Sequence, residues 1–463
     1  MCKHTLKAYK GCITSYIQQN ANAVIIQNIR YLVHIYRTKV SLTIDYYLLL
    51  LGVMLLKTII IGNGAAGLSA VRSFRKYDSA SPITIISKEG GDAYSRVLLP
   101  YILRGKLPYD KLFLPYAKEL RRLGVEYIEG EVLSLDEKAG IISLTGEETL
   151  TYDNLLIASG SSALWPPVKG IEQPGIYHLW TRRDLDSLME EFRTKKEVLI
   201  IGSGFVSLQA AWSARSIGLG VTLVEIADRL MPLVLDTRAS AIMAEQMERF
   251  GVEVHTSTIT EEIKKDGGRF FIKLKDKEPV KADFIIVGAG VGANIGFLKG
   301  SGVEYGRTIP VDSRMRTNIS NIYAAGDAAA GPSAFGDEHV THALWPTAVE
   351  MGAVAGANMA GKDIAYGGSL NMNVTQMFNV TVASMGKFND ADIDDSYTYD
   401  AEAGHGYCKL CYKNGFIVGI CLVGTSEAVS LFGKLRPVIR KHLSVKCPPA
   451  KMDTFLNVRL FEK

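Results

Sequence analysis

The chain has 463 residues, of which 47% are hydrophobic and 22% are charged, a composition typical of a globular protein with about two to four domains. The formal net charge of +4 is uneven, because residues 1–53 carry +5 and the rest of the chain carries −1. A folded part without a basic excess does not attract phosphates, so nucleic-acid binding is not expected. No cysteine lies between Cys12 and Cys408, which is not a disulfide framework and predicts a reducing, cytoplasmic location.

The first 53 residues differ in composition from the rest of the chain. Their most apolar stretch, residues 46–56, contains 11 residues, whereas a bilayer span needs about 20, and it comes too late for a signal peptide. No transmembrane segment is therefore predicted. Met54 lies three residues before Lys57, where the first strand begins. We expect residues 1–53 to be an over-extended start, with a basic targeting peptide or a membrane-surface helix as the alternatives.

A dinucleotide-binding fingerprint follows the first strand. The β-branched run 58–61 predicts a strand buried on both faces, and a helix is predicted near 65–77. Between them, three glycines have G-x-G-x-x-G spacing: one for a tight turn, one for close approach of a pyrophosphate, and one for helix packing. The N–H groups at the helix start favour an anion. The residues predicted to bind here are Gly62, Gly64, Ala65, Ala66 and Gly67.

The second strand, residues 83–87, is followed by Lys88 and Glu89. A carboxylate at this end of the strand accepts hydrogen bonds from adenosine ribose hydroxyls. Glu89 lies 27 residues after Gly62, which is more than the usual spacing of about 20. Both residues are predicted to lie beside the first nucleotide.

A second fingerprint begins at residue 197. Gly202 and Gly204 take the first two positions and Ser207 takes the third, where a small side chain should still let helix and strand pack, slightly less closely. Phe205 and Val206 begin the following helix. Glu225, 23 residues after Gly202, would bind both ribose hydroxyls of NAD and repel the 2′-phosphate of NADP. NADH is therefore favoured over NADPH, although the nearby Arg229 leaves NADPH open.

Two such fingerprints 140 residues apart make the chain resemble the FAD/NAD-dependent pyridine nucleotide–disulfide oxidoreductase superfamily. The branch of ferredoxin, rubredoxin and nitrite reductase flavoprotein modules is the most similar, over about residues 57–440. The resemblance implies an α/β fold with two Rossmann-type three-layer domains, the NAD domain inserted in the FAD domain, and a small α+β C-terminal domain. The expected bounds are an extension 1–53, FAD-binding parts 54–165 and 291–365, an NAD-binding domain 166–290, and an interface domain 366–463.

Further motifs carry the same resemblance. They are residues 152–161, 284–290, 321–328 and a helix from 342. By the resemblance, Asp327 would bind the ribityl chain of FAD, with capping of the next helix as the alternative. Trp345 would flank the flavin ring, or else pack in the core. The other residues implied near the cofactors are Val132, Ala158, Gly160, Gly290 and Gly326.

Disulfide-reducing members of the superfamily carry cysteines in a stretch that corresponds to residues 94–101 here. This stretch has none, and Val97 stands at the position of the single cysteine. A flavin without an adjacent thiol does not reduce a disulfide by that route. The Tyr-x-Arg pattern resembles the ferredoxin reductase branch and implies Arg96 near the flavin or its phosphates, with a plain surface arginine as the alternative. Tyr101 replaces a lysine that is usual in that branch.

Cys408 and Cys411 have CxxC spacing within a predicted strand, where residues three apart point to opposite faces. Strand packing is therefore expected rather than a metal site, and no metal is predicted. His339 and His342 flank the start of the helix that contains Trp345 and are interpreted as structural or exposed. No side chain is assigned to proton transfer.

The sequence therefore predicts that NADH reduces FAD, and that the electrons pass to an iron–sulfur or rubredoxin-type protein. The first alternative is an NADH oxidase or another flavin reaction with a small molecule. The second is a flavin-binding redox sensor with little turnover. The superfamily's habit of dimerising also suggests a homodimer.

Overall fold

The computed structural model describes residues 55–388, 393–400, 406–424 and 429–441, so the predictions for residues 1–53 lie outside the described residues. The first half of the described chain contains strands β1 (Thr58–Ile61), β2 (Ile83–Ser87), β3 (Val125–Glu129), β4 (Val132–Asp136), β5 (Ile141–Leu144), β6 (Thr149–Thr151), β7 (Asn154–Ile157), β8 (Ser161–Ala163), β9 (Ile176–Tyr177), β10 (Glu197–Ile201), β11 (Gly220–Val224) and β12 (Val252–His255). The later strands are β13 (Thr260–Asp266), β14 (Arg269–Leu274), β15 (Val280–Ala282), β16 (Phe284–Val287), β17 (Val291–Ala293), β18 (Ile309–Pro310), β19 (Ile322–Ala324), β20 (Ala329–Ser333), β21 (Gly336–Val340), β22 (Met372–Met377), β23 (Val380–Gly386), β24 (Asp395–Asp400), β25 (Tyr407–Lys413) and β26 (Phe416–Gly424).

The described α-helices are α1 (Ala65–Arg75), α2 (Leu99–Leu103), α3 (Tyr116–Arg122), α4 (Arg182–Thr194), α5 (Phe205–Ser216), α6 (Thr237–Arg249), α7 (Trp345–Met359) and α8 (Val429–Arg440). Short 3₁₀ helices cover Arg96–Leu98, Tyr109–Leu112, Gly296–Leu298 and Gly326–Ala328. Within the described ranges, no helix has the length and apolarity that crossing a membrane requires.

The first parallel sheet has the order β19-β7-β1-β2-β3. All four residues of its central strand β1 are buried, as the β-branched run predicted. One hydrophobic core joins this sheet to α1, α7 and the antiparallel sheet β4-β5-β6. Because β19 and α7 come after the second sheet along the chain, the first unit is completed by a segment that lies beyond the second unit in the sequence.

A close crossing of α1 and α7 supports the first fingerprint. A Cβ atom on Gly352 would overlap the carbonyl oxygen of Ala66, and a Cβ atom on Gly356 would overlap that of Ala70. Glycine at both positions therefore lets the backbones of the two helices touch, which places the middle of α7 against the start of α1.

The second parallel sheet, β12-β11-β10-β16-β9, repeats the pattern of the first and is accompanied by the antiparallel sheet β13-β14-β15. The chain passes from the first unit to the second after β8 and returns at β17, and these two strands pair antiparallel. The predicted fold class, one Rossmann-type unit inserted in another, is confirmed.

The C-terminal sheet is antiparallel, in the order β22-β23-β26-β25-β24. Asn414 and Gly415 form its hairpin turn, both with positive φ, which is the conformation that an Asn-Gly pair favours in a two-residue turn. One face of the sheet packs with α8, and the other packs against the second unit. Cys408 lies in the first of these cores and Cys411 in the second, so the prediction that the CxxC pair points to opposite faces is confirmed.

Candidate functional site

The three glycines of the first fingerprint have different surroundings. Gly62 has φ +116°, and a Cβ atom there would overlap the Ala158 carbonyl oxygen; one on Gly67 would overlap the Gly62 carbonyl oxygen. A Cβ atom on Gly64 would meet nothing within 4 Å. The turn is therefore closed on the protein side and open at Gly64, which is the shape that an approaching pyrophosphate requires.

The start of α1 offers donors to that open side. Its N-cap is Gly64, which makes no side-chain capping hydrogen bond, so Ala65, Ala66 and Gly67 begin a helix whose N–H groups are not capped by a side chain. Nearby, the Ser159 hydroxyl is buried without a hydrogen-bond partner among the described residues. These observations fit the phosphate end of a dinucleotide.

Glu89 and Arg96 lie together at the carboxyl end of β2. Their side chains form an ion pair, and Glu89 also accepts a hydrogen bond from the Tyr94 hydroxyl. Arg96 Nη1 donates to the Tyr94 hydroxyl at 2.9 Å. Lys88 turns away, pairs with Glu131 at 2.6 Å and is exposed. The structure therefore brings together Glu89 and Arg96 and leaves Lys88 outside the group.

Asp327 lies in the 3₁₀ turn that follows β19. Its carboxylate accepts a hydrogen bond from Ser161 Oγ at 2.6 Å, and the turn has no side-chain cap, so Asp327 does not cap a helix. Burial raises the pKa of this carboxyl, while the Ser161 hydrogen bond and the charge of Arg96 act in the opposite direction. A half-buried carboxylate with a hydroxyl partner suits a ligand that brings further hydroxyl donors.

The start of α7 is another uncapped helix N-terminus. Its N-cap is Leu344, without a side-chain capping hydrogen bond, and Trp345 at its first position is half-buried. Gly326 has φ +74°, and a Cβ atom there would lie 3.2 Å from the Cβ of Ala66. The helix dipole therefore presents positive potential beside the first fingerprint, where reduced flavin would carry negative charge.

The remaining residues predicted for the first site occupy different positions. Val132 and Ala158 are buried, whereas Gly160 has φ +68° and open space around its Cβ position. His342 Nδ1 lies 2.7 Å from Ser369 Oγ, and burial lowers its pKa. His339 Nε2 lies 3.1 Å from the Val311 carbonyl oxygen. Both histidines are held by hydrogen bonds, in agreement with a structural role.

The second fingerprint repeats the geometry of the first. Gly202 has φ +95°, and a Cβ atom there would overlap the Gly288 carbonyl oxygen; one on Gly204 would meet nothing within 4 Å. The helix α5 begins with Phe205 and Val206, which pack partly in the core, and has no side-chain N-cap. The loop after β16 contains Gly290, whose Cβ position is also open.

Glu225 directly follows β11 and is 8% exposed. Its Oε1 accepts a hydrogen bond from the Ala227 N–H at 2.7 Å, which leaves its other oxygen for a ligand. Arg229 pairs with Asp228 at 3.0 Å. Arg229, the residue for which binding of NADPH stayed an alternative, is therefore paired with an acidic side chain.

Ser207 and Gly288 face each other at the second fingerprint, and the missing side chain of the glycine leaves space for the serine hydroxyl. Ser207 is buried, its Oγ has no hydrogen-bond partner among the described residues, and a Cβ atom on Gly288 would overlap that Oγ. In the first unit, Gly67 is equivalent to Ser207 as the third position of the fingerprint. Ala158, which directly follows β7, is equivalent to Gly288, which directly follows β16. The serine thus fits because the facing residue has no side chain.

We expect Gly288→Ala to lower the free energy of unfolding by about 2–3 kcal/mol, because the new methyl group meets the Ser207 hydroxyl. In a Ser207→Ala background the same change should cost less than about 1 kcal/mol, because the hydroxyl is gone. Chemical denaturation of the four proteins of this double-mutant cycle measures the coupling. Equal costs in both backgrounds would contradict the compensation.

Four residues that were not among the predicted site residues lie at these sites. Tyr94 and Trp180 contact Arg96, Ser161 contacts Asp327, and His178 Nδ1 lies 2.9 Å from the Val287 carbonyl oxygen. The ring of His178 also stacks on Trp165, with centroids 3.8 Å apart. Apart from the Tyr94–Arg96 contact, these contacts join separate segments of the chain, so no local spacing signals them.

Comparison with known proteins agrees with this geometry. The family model for pyridine nucleotide-disulphide oxidoreductases matches residues 56–352. The epsilon subunit of NADH-dependent phenylglyoxylate dehydrogenase from Aromatoleum evansii is 28% identical over 370 residues, which cover 79% of this chain and 87% of that one. The NADH oxidase of Methanocaldococcus jannaschii is 29% identical over 351 residues, covering 72% of this chain and 76% of that one.

Among solved structures, a ferredoxin reductase from Rhodopseudomonas palustris superimposes with a TM-score of 0.79 at 24% identity, covering 87% of this chain and 99% of that one. The chain belongs to the pyridine nucleotide–disulphide oxidoreductase family, whose model matches more than half of it. It is an FAD-dependent NAD(P)H:acceptor oxidoreductase, and its cofactors are FAD and NAD(H).

Proposed function

We propose that this chain oxidises NADH at the second fingerprint and passes the electrons, by way of FAD at the first, to an iron–sulfur or rubredoxin-type protein. The observation that carries this proposal is that no thiol of the described residues lies beside the first site. Val97, at the position of the single cysteine, is 54% exposed. The described cysteines, Cys408, Cys411 and Cys421, are all buried in the C-terminal sheet.

These thiols do not replace the missing one. Burial raises the pKa of the Cys411 thiol to about 11 and that of the Cys421 thiol to about 12, and it raises the pKa of Cys408 as well. Thiolates are the reactive form, so these groups are chemically inert in the folded protein. This supports a direct transfer of electrons from the flavin to an external acceptor.

The chain's own residues hold and orient the cofactors. In this proposal the amides of Gly64 to Gly67 bind the FAD pyrophosphate, Glu89 binds the adenosine ribose, Arg96 neutralises phosphate charge, and Asp327 binds the ribityl chain. The start of α7, with Trp345, stabilises negative charge on the flavin. When bound, FAD accepts a hydride from the nicotinamide and supplies the electrons to the acceptor.

Glu225 supports NADH as the preferred coenzyme. Its buried carboxylate would accept hydrogen bonds from both ribose hydroxyls, and the same negative charge would repel a 2′-phosphate. Because Arg229 pairs with Asp228, it offers less compensation to that phosphate than an unpaired arginine would.

The acceptor has two candidates. The ferredoxin reductase from Rhodopseudomonas palustris is named for a small iron–sulfur partner, whereas the relative from Methanocaldococcus jannaschii is named an NADH oxidase. An NADH oxidase is therefore the second candidate.

A homodimer and a cytoplasmic location stay predictions from the sequence.

An anaerobic stopped-flow experiment tests the proposal. Purified protein is mixed with NADH and, separately, with NADPH, and the bleaching of the flavin absorption band is followed. We expect NADH to reduce the flavin at least about tenfold faster than NADPH, because of repulsion at Glu225. Equal rates would contradict the assignment of Glu225.

The reduced protein is then mixed with a ferredoxin, with a rubredoxin or with air-saturated buffer. Fast reoxidation by either redox protein and slow reoxidation by oxygen would support the proposed acceptor. Fast oxygen consumption would instead identify an oxidase. Slow reoxidation under every condition would identify a redox sensor.

A further inference from the structure

Trp180 lies between the two groups of residues that we assign to FAD. Its carbonyl oxygen accepts a hydrogen bond from Arg96 Nη1 at 2.5 Å, and the Arg96 guanidinium lies 5.7 Å from the centre of its ring. On the other side, its indole Nε1 donates to the Ser161 carbonyl oxygen at 2.9 Å. Since Ser161 Oγ donates to Asp327, Trp180 connects the Arg96–Glu89 pair with the Asp327 carboxylate.

The backbone of Trp180 is fixed by the start of α4. Thr181 and Asp184 form a capping box, in which Asp184 Oδ2 accepts from the Thr181 N–H at 2.7 Å. The same carboxylate oxygen accepts from the Trp180 N–H at 3.1 Å. The N–H of Trp180 is thus bound to α4, its carbonyl to Arg96 and its indole to Ser161. A residue held at three points has little freedom to rotate away.

These contacts place the two charges of the site. A guanidinium next to an indole gains about 0.5–2 kcal/mol, depending on its exposure, and a neutral hydrogen bond contributes about 1 kcal/mol. Two residues oppose the effect of burial on Asp327, Ser161 through its hydroxyl and Arg96 through its charge. Trp180 contacts both, Ser161 at its backbone carbonyl and Arg96 at its guanidinium. Loss of the indole would therefore loosen the guanidinium and the carboxylate together.

We propose that Trp180 is a positioning residue of the FAD site, which holds Arg96 and Ser161 so that the guanidinium and the Asp327 carboxylate are in place when FAD binds. Neither fingerprint contains this residue. The inference rests on the FAD-site residues of the proposed function, and it adds that the segment leading into α4, the first helix of the second unit, is part of the FAD site of the first.

The test compares Trp180→Phe and Trp180→Leu with the unaltered holoenzyme. Phenylalanine keeps a ring beside Arg96 but lacks the N–H, so we expect FAD to bind about 5- to 10-fold more weakly. Leucine lacks both, and we expect a loss of about 30- to 100-fold. The FAD dissociation constant is measured from the flavin fluorescence released on dilution, and the circular dichroism of the flavin band is recorded in parallel.

Trp212→Phe is the matched control, because the ring of Trp212, on α5 of the second unit, packs against Phe378 of the C-terminal sheet and against Arg104, which follows α2. It should leave FAD binding and the flavin spectrum unchanged. In the Trp180 variants the flavin circular dichroism should change while the NADH dissociation constant stays within about twofold of the unaltered protein. A general structural defect at the start of α4 would instead weaken NADH and FAD binding together, and that result would overturn the inference.

Two further variants separate this inference from the assignment of the site. Arg96→Met and Asp327→Asn should each weaken FAD binding. If they do and the Trp180 variants bind FAD normally, the positioning role is wrong and the site assignment stands. If neither weakens FAD binding, the site assignment is wrong and the inference falls with it.

Discussion

Gly64→Val should yield a folded, colourless protein, with FAD binding weakened at least about 100-fold. Gly64 has φ −91° and ψ −165°, which valine adopts without strain, and the space at its Cβ position is open to 4 Å. The valine methyl groups would instead fill the space where the pyrophosphate meets the amides of α1. Circular dichroism and the absorbance ratio of flavin to protein measure the two effects.

The second fingerprint provides the reciprocal variant. Gly204 has φ −70° and ψ 176° and an equally open Cβ position. Gly204→Val should therefore keep its flavin and stay yellow, but NADH should no longer reduce it at a measurable rate. Gly306→Val, at another position with open space, is the control for adding a valine. A yellow Gly64→Val protein, or a colourless Gly204→Val protein, would refute the assignment of the two sites.

Gly352→Leu should lower the free energy of unfolding by at least about 3 kcal/mol, because even a Cβ atom at this position overlaps the Ala66 carbonyl oxygen. The α1–α7 crossing would have to open, and the starts of both helices would separate. Thermal unfolding followed by circular dichroism, together with the temperature of flavin release, measures the loss. The midpoint temperature of unfolding and the temperature of flavin release should decrease by the same amount.

Ala353→Leu is the control for Gly352→Leu, since Ala353 is the next residue of α7 and only partly buried. It adds three carbon atoms to the same helix at a partly exposed position, so its effect should stay below about 1 kcal/mol. If the two leucine variants unfold at the same temperature, the close crossing does not limit the stability of the first unit.

Much of the local structure follows from the sequence because short-range chemistry decides it. The strand β1, the turn at Gly62 and the helix α1 occupy the predicted positions, since β-branched residues, a positive φ and a helix start leave few alternatives. The Asn414–Gly415 hairpin and the opposite faces of Cys408 and Cys411 follow in the same way from turn geometry and strand alternation.

The packing around the third position of the second fingerprint could not be predicted from local sequence. The sequence showed that serine replaces glycine at Ser207, and it predicted slightly looser packing. Only the sheet order β11-β10-β16 shows that Gly288 faces the serine and makes room for it. The two residues are far apart along the chain, so their volumes are matched by tertiary contact and not by a local pattern.

By itself, then, the sequence determined the two nucleotide turns, the acids after their second strands, and the absence of a thiol in the stretch 94–101, because each depends on residues within a few positions of one another. The tertiary structure decided which side chains complete the sites. Glu89 pairs with Arg96, Arg96 contacts Trp180, and Ser161 joins Trp180 to Asp327. These contacts connect four separate segments, and the two that Trp180 makes exist because the second unit begins with its first helix beside the first site.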